Sequence, residues 1–218
     1  MTNFNESYVG RRDDLLRLVP LSAQKVLDVG CSTGVFGQQI KQKTSAGVTG
    51  IELDMSMAKV ARDKLDKVII ENIEEIDLNN FFALKYFDCI IFSDVLEHFK
   101  NPWSVLKKTT AFLKDDGIVI ASIPNVRHIS TIISLLFKGY WPYRKRGIHD
   151  KNHLRFFTLR NIKEMFFEAG FEVLKIKRKY RIIERPHYLN KFSYFFVVPL
   201  LRDFITFQYI VVARKGKV

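Results

Sequence analysis

The sequence predicts an α/β fold: a doubly wound, mostly parallel sheet of seven strands. Three observations predict it. Short apolar runs alternate with amphipathic helical stretches along most of the chain, the pattern of strands joined by crossover helices. The first such run, in VLDVGCSTGVFG at 26–37, passes through an aspartate into a cluster of small residues and then a helix. The last two runs, FEVLKIKRKYRII and FQYIVVARK, are separated by an apolar insert rather than a usual helical crossover, which implies an antiparallel pair at the end of the sheet.

In chain order, strands are expected at 25–29, 48–52, 68–70, 87–93 and 118–123, and helices at 13–18, 35–43, 55–65, 102–113 and 159–169. Gly117 and Gly170 are expected at helix-to-strand turns, since helix ends favour glycine. The 218 residues, 47% hydrophobic, suit one domain over 1–218 with two insertions, a lid at 124–157 and an apolar segment at 184–206. The start MTNFNESYVG has no secretory pattern and no apolar run reaches membrane-span length, so a cytoplasmic protein is expected. Two cysteines without metal spacing predict neither disulfide nor structural metal.

Charge is uneven. Residues 1–100 carry 12 Lys/Arg and 15 Asp/Glu, residues 101–218 carry 23 and 8, and the total is +12. A basic half concentrates anionic partners, whether phosphorylated small molecules, nucleic acid or a membrane surface. It is also compatible with a merely solvated surface.

A strand, a small-residue turn and a helix N-terminus suit nucleotide binding in general. Ser32, Gly34 and Gly37 lie one serine away from a dinucleotide fingerprint. Asp28 opposes that reading, because a carboxylate at the turn repels a pyrophosphate and attracts a cationic ligand such as the ammonium of S-adenosylmethionine. The alternative role for it is to cap the turn backbone. Glu52, in GIELD, lies about 20 residues further on, where an acid takes ribose hydroxyls. Asp54 is the neighbouring acid and a candidate helix cap.

Taken in order, VLDVGCSTGVFG, GIELD, FDCIIFSDVLEHFKNPWSVLKK and GIVIASIPN resemble the successive motifs of class I S-adenosylmethionine-dependent methyltransferases, over a span from Tyr8 to Arg214. The stretch from SIPNVRH to FFEAGF resembles a bacterial subgroup associated with sugar and cell-surface polysaccharide biosynthesis. The resemblance implies a Rossmann-like methyltransferase fold, S-adenosyl-L-methionine as cofactor with S-adenosyl-L-homocysteine as product, and no metal. It implies that Asp28, Gly30, Ser32 and Gly34 line the methionine end, with Cys31 and Phe36 beside them. Glu52 would take the ribose, Leu53, Asn72 and Ile73 the adenine, and Ser93 and Asp94 the strand end beneath the methionine.

Methyl transfer to a hydroxyl calls for a general base, whereas an amine need only be neutral. His98, His128, His149 and His153 are candidates, with Asp94 as a further base or electrostatic group and Asp150 able to orient His149 or His153. In the 124–157 insertion, KGYWPYRKRG places Tyr140, Trp141 and Tyr143 beside Arg144, Lys145 and Arg146. Aromatic faces with arginines suit a phosphorylated sugar or single-stranded nucleic acid. Tyr140, Tyr143, Arg144, Arg146 and Arg155 are therefore expected to bind an anionic small-molecule or glycan acceptor. Nucleic-acid methylation is disfavoured, because FSDVLEH is not the Asp/Asn-Pro-Pro-aromatic motif of many amino-group enzymes. A non-catalytic nucleotide binder is the third reading. The apolar stretch YLNKFSYFFVVPLLRDF predicts a helix packed on the sheet, a homodimer face or a peripheral membrane contact.

Overall fold

The computed structural model describes residues 10–184, 187–199 and 201–216. One mixed sheet runs through the chain, built from β1 (Lys25–Val29), β2 (Gly47–Glu52), β3 (Lys67–Ile70), β4 (Phe87–Ser93), β5 (Leu113–Pro124), β6 (Phe171–Tyr180) and β7 (Thr206–Lys215). Their order is β3-β2-β1-β4-β5-β7-β6. The first five strands are parallel, and β7 lies antiparallel between β5 and β6.

Side-chain alternation along the strands explains two apolar layers. On β4, Ile90 and Phe92 face one cluster while Cys89 and Ile91 face the other. The first cluster takes in Val105 and Leu106 of α4 (Pro102–Thr110) and Ile162, Met165 and Phe166 of α6 (Leu159–Glu168). The second takes in Leu15 of α1 (Asp13–Leu16), Phe36 and Ile40 of α2 (Val35–Thr44), and Ala61 of α3 (Met55–Arg62). Helices therefore cover both faces of the sheet. The local signals that start them are explicit: Asp54 accepts from the backbone N–H of Ser56 and Met57, and Thr158 with Asn161 forms a capping box.

Three details differ from the sequence reading. Gly117 does not end a turn but sits inside β5, which begins at Leu113 and is irregular against Phe87 and Cys89 of β4. The 124–157 segment contains a helix, α5 (Ile129–Lys138), which sequence patterning did not reveal. Of the 184–206 insertion, residues 185, 186 and 200 lie outside the described residues; the remainder includes a 3-10 stretch at Tyr188–Phe196 and α7 (Arg202–Ile205). Among the described residues, no helix is long and apolar enough to cross a membrane.

The chain winds from β1 outward to β2 and β3, then returns to the other side of β1 as β4. Such a reversal opens a crevice at the carboxyl ends of β1 and β4. Gly30 turns the chain there at φ +71°, and a Cβ on it would lie 2.7 Å from Val95 Cγ2. Gly30→Ala should therefore cost about 1–3 kcal/mol. Urea denaturation of both proteins checks this, and an unchanged midpoint would show that the turn tolerates a side chain.

Candidate active site

The crevice holds a cavity of about 890 Å³. Its floor is the end of β1, where Asp28 is 2% exposed and its Oδ1 lacks any hydrogen-bond partner. Burial, then the charge of Glu52, pushes the Asp28 carboxyl up to about 7. A buried carboxyl with an unused oxygen is a receptor for a cation. Glu52, at the end of β2, is held by two backbone donors, Ser32 N–H at 2.8 Å and Asp54 N–H at 2.9 Å. Ser32 adopts φ +50°, a strained conformation for a non-glycine residue, and this turns its N–H to Glu52.

Of the expected cofactor residues, Asp28, Gly30, Cys31, Ser32, Phe36, Glu52, Leu53, Asn72, Ile73, Ser93 and Asp94 line this cavity. Gly34 does not. Its φ of +73° starts α2, and a Cβ there would meet Ala61 Cα at 3.0 Å, so its smallness serves helix packing. Asn72 Oδ1 accepts from Glu74 N–H at 3.0 Å, leaving that oxygen one further lone pair.

A second cavity, about 1010 Å³, adjoins the first. Asp94 and His98 line both. Asp94 stands at φ +53°, locked from three sides: it pairs with Arg12, accepts from Ser122 Oγ at 2.8 Å, and accepts from Gln208 Nε2. A carboxylate so committed suits positioning better than proton transfer. Arg12 also donates to Ser93 Oγ at 2.9 Å and pairs with Asp14 at 3.0 Å, closing the crevice from the N-terminal side.

The histidines separate into two groups. His98 Nδ1 lies 3.2 Å from the Asn152 carbonyl and His153 Nδ1 3.1 Å from the Ile148 carbonyl. A carbonyl only accepts, so in the neutral ring each Nδ1 carries the proton and Nε2 is the basic nitrogen. Their rings stack edge-on at 4.7 Å. Burial lowers the His98 pKa, and burial with the neighbouring His98 pushes His153 down to about 4. His128 and His149 are placed differently. His128 Nε2 donates to the Arg181 carbonyl at 2.8 Å, and Nδ1 accepts from Ser130 at the start of α5. His149 is held between Glu184 Oε2 and Thr131 Oγ1, both at 3.0 Å. Neither lines either of these two cavities, and both ring nitrogens of each are engaged in hydrogen bonds.

Of the expected acceptor residues, Tyr140, Arg144 and Arg146 line the second cavity with Lys138 and Arg181. Tyr143 is 70% exposed and outside its lining. Arg155 is turned away as well, donating to the Lys100 carbonyl at 3.0 Å.

Sequence reasoning passed over Glu97. It is 1% exposed, and neither carboxyl oxygen has a hydrogen-bond partner. Oε1 lies 3.8 Å from His153 Nε2, and burial followed by the charge of Asp94 raises the Glu97 pKa well above the ordinary range. Ligand atoms of Glu97, His98 and His153 lie within 4.8 Å of one another, so the same trio could share a proton or hold a cation.

A family model described as a methyltransferase domain matches residues 7–176. An uncharacterised protein of Methanocaldococcus jannaschii is 30% identical over 165 residues, covering 68% of this chain and 62% of that protein. A ubiquinone biosynthesis O-methyltransferase of Thiobacillus denitrificans is 30% identical over 161 residues, covering 70% of this chain and 66% of the relative. The match thus spans between three fifths and two thirds of these relatives' lengths. A solved SAM-dependent methyltransferase from Archaeoglobus fulgidus shares the fold, with a TM-score of 0.68 over 96% of this chain and 97% of that one at 19% identity.

Proposed function

Because the chain belongs to the methyltransferase-domain family across residues 7–176, we propose that it transfers a methyl group from S-adenosyl-L-methionine to a hydroxyl of an anionic acceptor. The observation that carries this reading is the pair of adjoining cavities with Asp94 and His98 on their shared wall. One cavity is built for a cationic, ribose-bearing cofactor. The other is rimmed by Lys138, Arg144, Arg146 and Arg181.

Asp28 would hold the cofactor's ammonium, Glu52 its ribose hydroxyls, and Leu53, Asn72 and Ile73 its adenine. Bound there, the cofactor supplies a methyl carbon activated by its sulfonium. The chain's own residues do the rest. The basic rim holds the acceptor's anion, His98 Nε2 takes the hydroxyl proton, and Asp94, pinned by Arg12, Ser122 and Gln208, keeps the junction rigid. Alignment of this kind is worth roughly 7–11 kcal/mol of barrier and a base ~10²–10⁴-fold. A base at the junction favours a hydroxyl over an amine. The cations and Tyr140 favour a phosphate-bearing sugar, nucleotide- or glycan-linked. Similarity to a ubiquinone biosynthesis O-methyltransferase favours an oxygen of a quinone precursor as the second reading.

Two measurements test the proposal. Melting with S-adenosylhomocysteine and with NAD separates the cofactors, since a ligand at 100 times its Kd adds about 2.7 kcal/mol. Methyl-labelled cofactor is then offered with nucleotide sugars, isoprenoid-phosphate sugars, dihydroxybenzoates and RNA. Stabilisation by NAD alone, or label on RNA alone, would overturn the reading. Arg144 is tied to Glu184, whereas Arg146 lines the same cavity as Arg181 and repels it with like charge. Arg146→Ala should therefore raise the acceptor KM about tenfold, the loss of one charge-assisted contact, with S-adenosylhomocysteine affinity unchanged. Equal losses in both would remove Arg146 from the acceptor side.

A further inference from the structure

Helix α5 is built inside out. Its buried residues are polar: Thr131 meets His149, and Ser134 donates to the Tyr140 carbonyl at 2.6 Å. Its large apolar residues face outward, with Ile133, Leu135, Leu136 and Phe137 all exposed, the last two at 71% and 77%. An ordinary surface helix does the opposite. Ile129, Ile132, Ile133 and Leu136 recur at three- and four-residue spacing, so they form a stripe along one face.

The surroundings indicate what covers that stripe. From Ile129 to His149 there is no Asp or Glu, while Lys138, Arg144, Lys145 and Arg146 follow the apolar turns. Tyr140 and Tyr143, both more than half exposed, stand among these cations. Apolar residues beside aromatic rings and lysine or arginine heads make up an interfacial helix. A second copy of this chain would bring the same cations against themselves, which opposes a symmetric dimer through this face. Ile129, Ile133, Lys138 and Tyr140 also line the second cavity, so the patch runs into the cavity mouth.

We propose that α5 and the turn after it dock on an anionic lipid bilayer, and that the second cavity draws its acceptor from that surface as an amphiphile with an anionic head. The acceptor part of this inference rests on the hydroxyl-methylation reading above; the docking part does not. The geometry places Leu136 and Phe137 in the acyl boundary, with Lys138 and Lys145 at headgroup level.

The test is flotation of the full chain with vesicles of phosphatidylcholine plus phosphatidylglycerol, against phosphatidylcholine alone. The wild type should float with the anionic vesicles and lose binding in high salt. Leu136→Asp with Phe137→Asp should weaken binding more than tenfold, and Lys145→Ala about fivefold. Both variants should keep the melting shift given by S-adenosylhomocysteine, which shows that they fold. No flotation of the wild type, or equal flotation of wild type and the double variant, overturns the inference. So does a dimer seen by sedimentation velocity that the double variant dissolves, since a second copy would then be the occupant. Soluble acceptors separate this from the hydroxyl-methylation reading. Methyl transfer without flotation removes only the docking, and flotation without transfer to any hydroxyl removes only the function.

Discussion

Asp28→Asn should weaken S-adenosylhomocysteine binding at least ~100-fold, and at pH 8 it should make the unliganded protein more stable. Both effects follow from one carboxyl that is 2% exposed and has an oxygen without a partner. Burial holds its pKa at about 7 in the folded chain, well above the ordinary carboxylate value of ~3.9 that it has unfolded. The native state therefore keeps a proton between pH 4 and 7 that the unfolded chain has lost. Stability from this group is fully present below pH 4 and falls as pH rises through 7, to a cost of about 4 kcal/mol. An amide has no charge to desolvate, though it buries N–H donors, so the net gain at pH 8 should be nearer about 2 kcal/mol and vanish near pH 4. The same substitution removes the anion that pairs with the cofactor's ammonium. Losing one partner of a buried charge pair costs roughly 3–5 kcal/mol, at least ~100-fold in Kd. Urea titrations at pH 4.5 and 8, with calorimetry of S-adenosylhomocysteine binding, read both effects. A variant that binds normally would mean that Asp28 supports the turn and not the ligand.

Asp28 was legible in the sequence because it is local: a strand, an acid and small residues within 12 positions. The same holds for Glu52 and for Asp54, whose capping role needs only the next three residues. The parallel strands were legible because both faces of the sheet are covered, so they read as unbroken apolar runs. What was missed is non-local. Arg12 reaches Ser93 across 81 positions, and Gln208 reaches Asp94 across 114. No spacing rule joins them. Glu97 adjoins His98 in sequence, yet its burial against His153 exists only once the 148–154 turn packs over it. Composition shows the titratable nitrogens of His128 and His149 but not what they already bind. Helix α5 escaped because patterning assumes that apolar residues face inward, and here they do not.

Removing the His98 imidazole should have the largest effect on turnover. His98→Asn should lower kcat ~10²–10⁴-fold, the worth of a general base, while S-adenosylhomocysteine affinity changes only a few-fold. The pH profile gives the sharper reading. Burial favours neutral imidazole and so lowers the His98 pKa below 6.5. With S-adenosyl-L-methionine saturating, so that its ammonium keeps Asp28 ionised, the acid limb of kcat/KM for the acceptor should therefore lie below pH 6.5, with the rate falling tenfold per unit beneath it, and it should disappear in His98→Asn. His153→Asn should leave that limb in place, because His153, held down to about 4, is already neutral there. Glu97→Gln distinguishes how the trio works. If the Glu97 carboxyl is protonated and serves only to keep its neighbours neutral, glutamine preserves the rate and the limb. If Glu97 takes the hydroxyl proton itself, glutamine abolishes transfer while His98→Asn does not, and the base has been assigned to the wrong member of a cluster whose atoms lie within 4.8 Å.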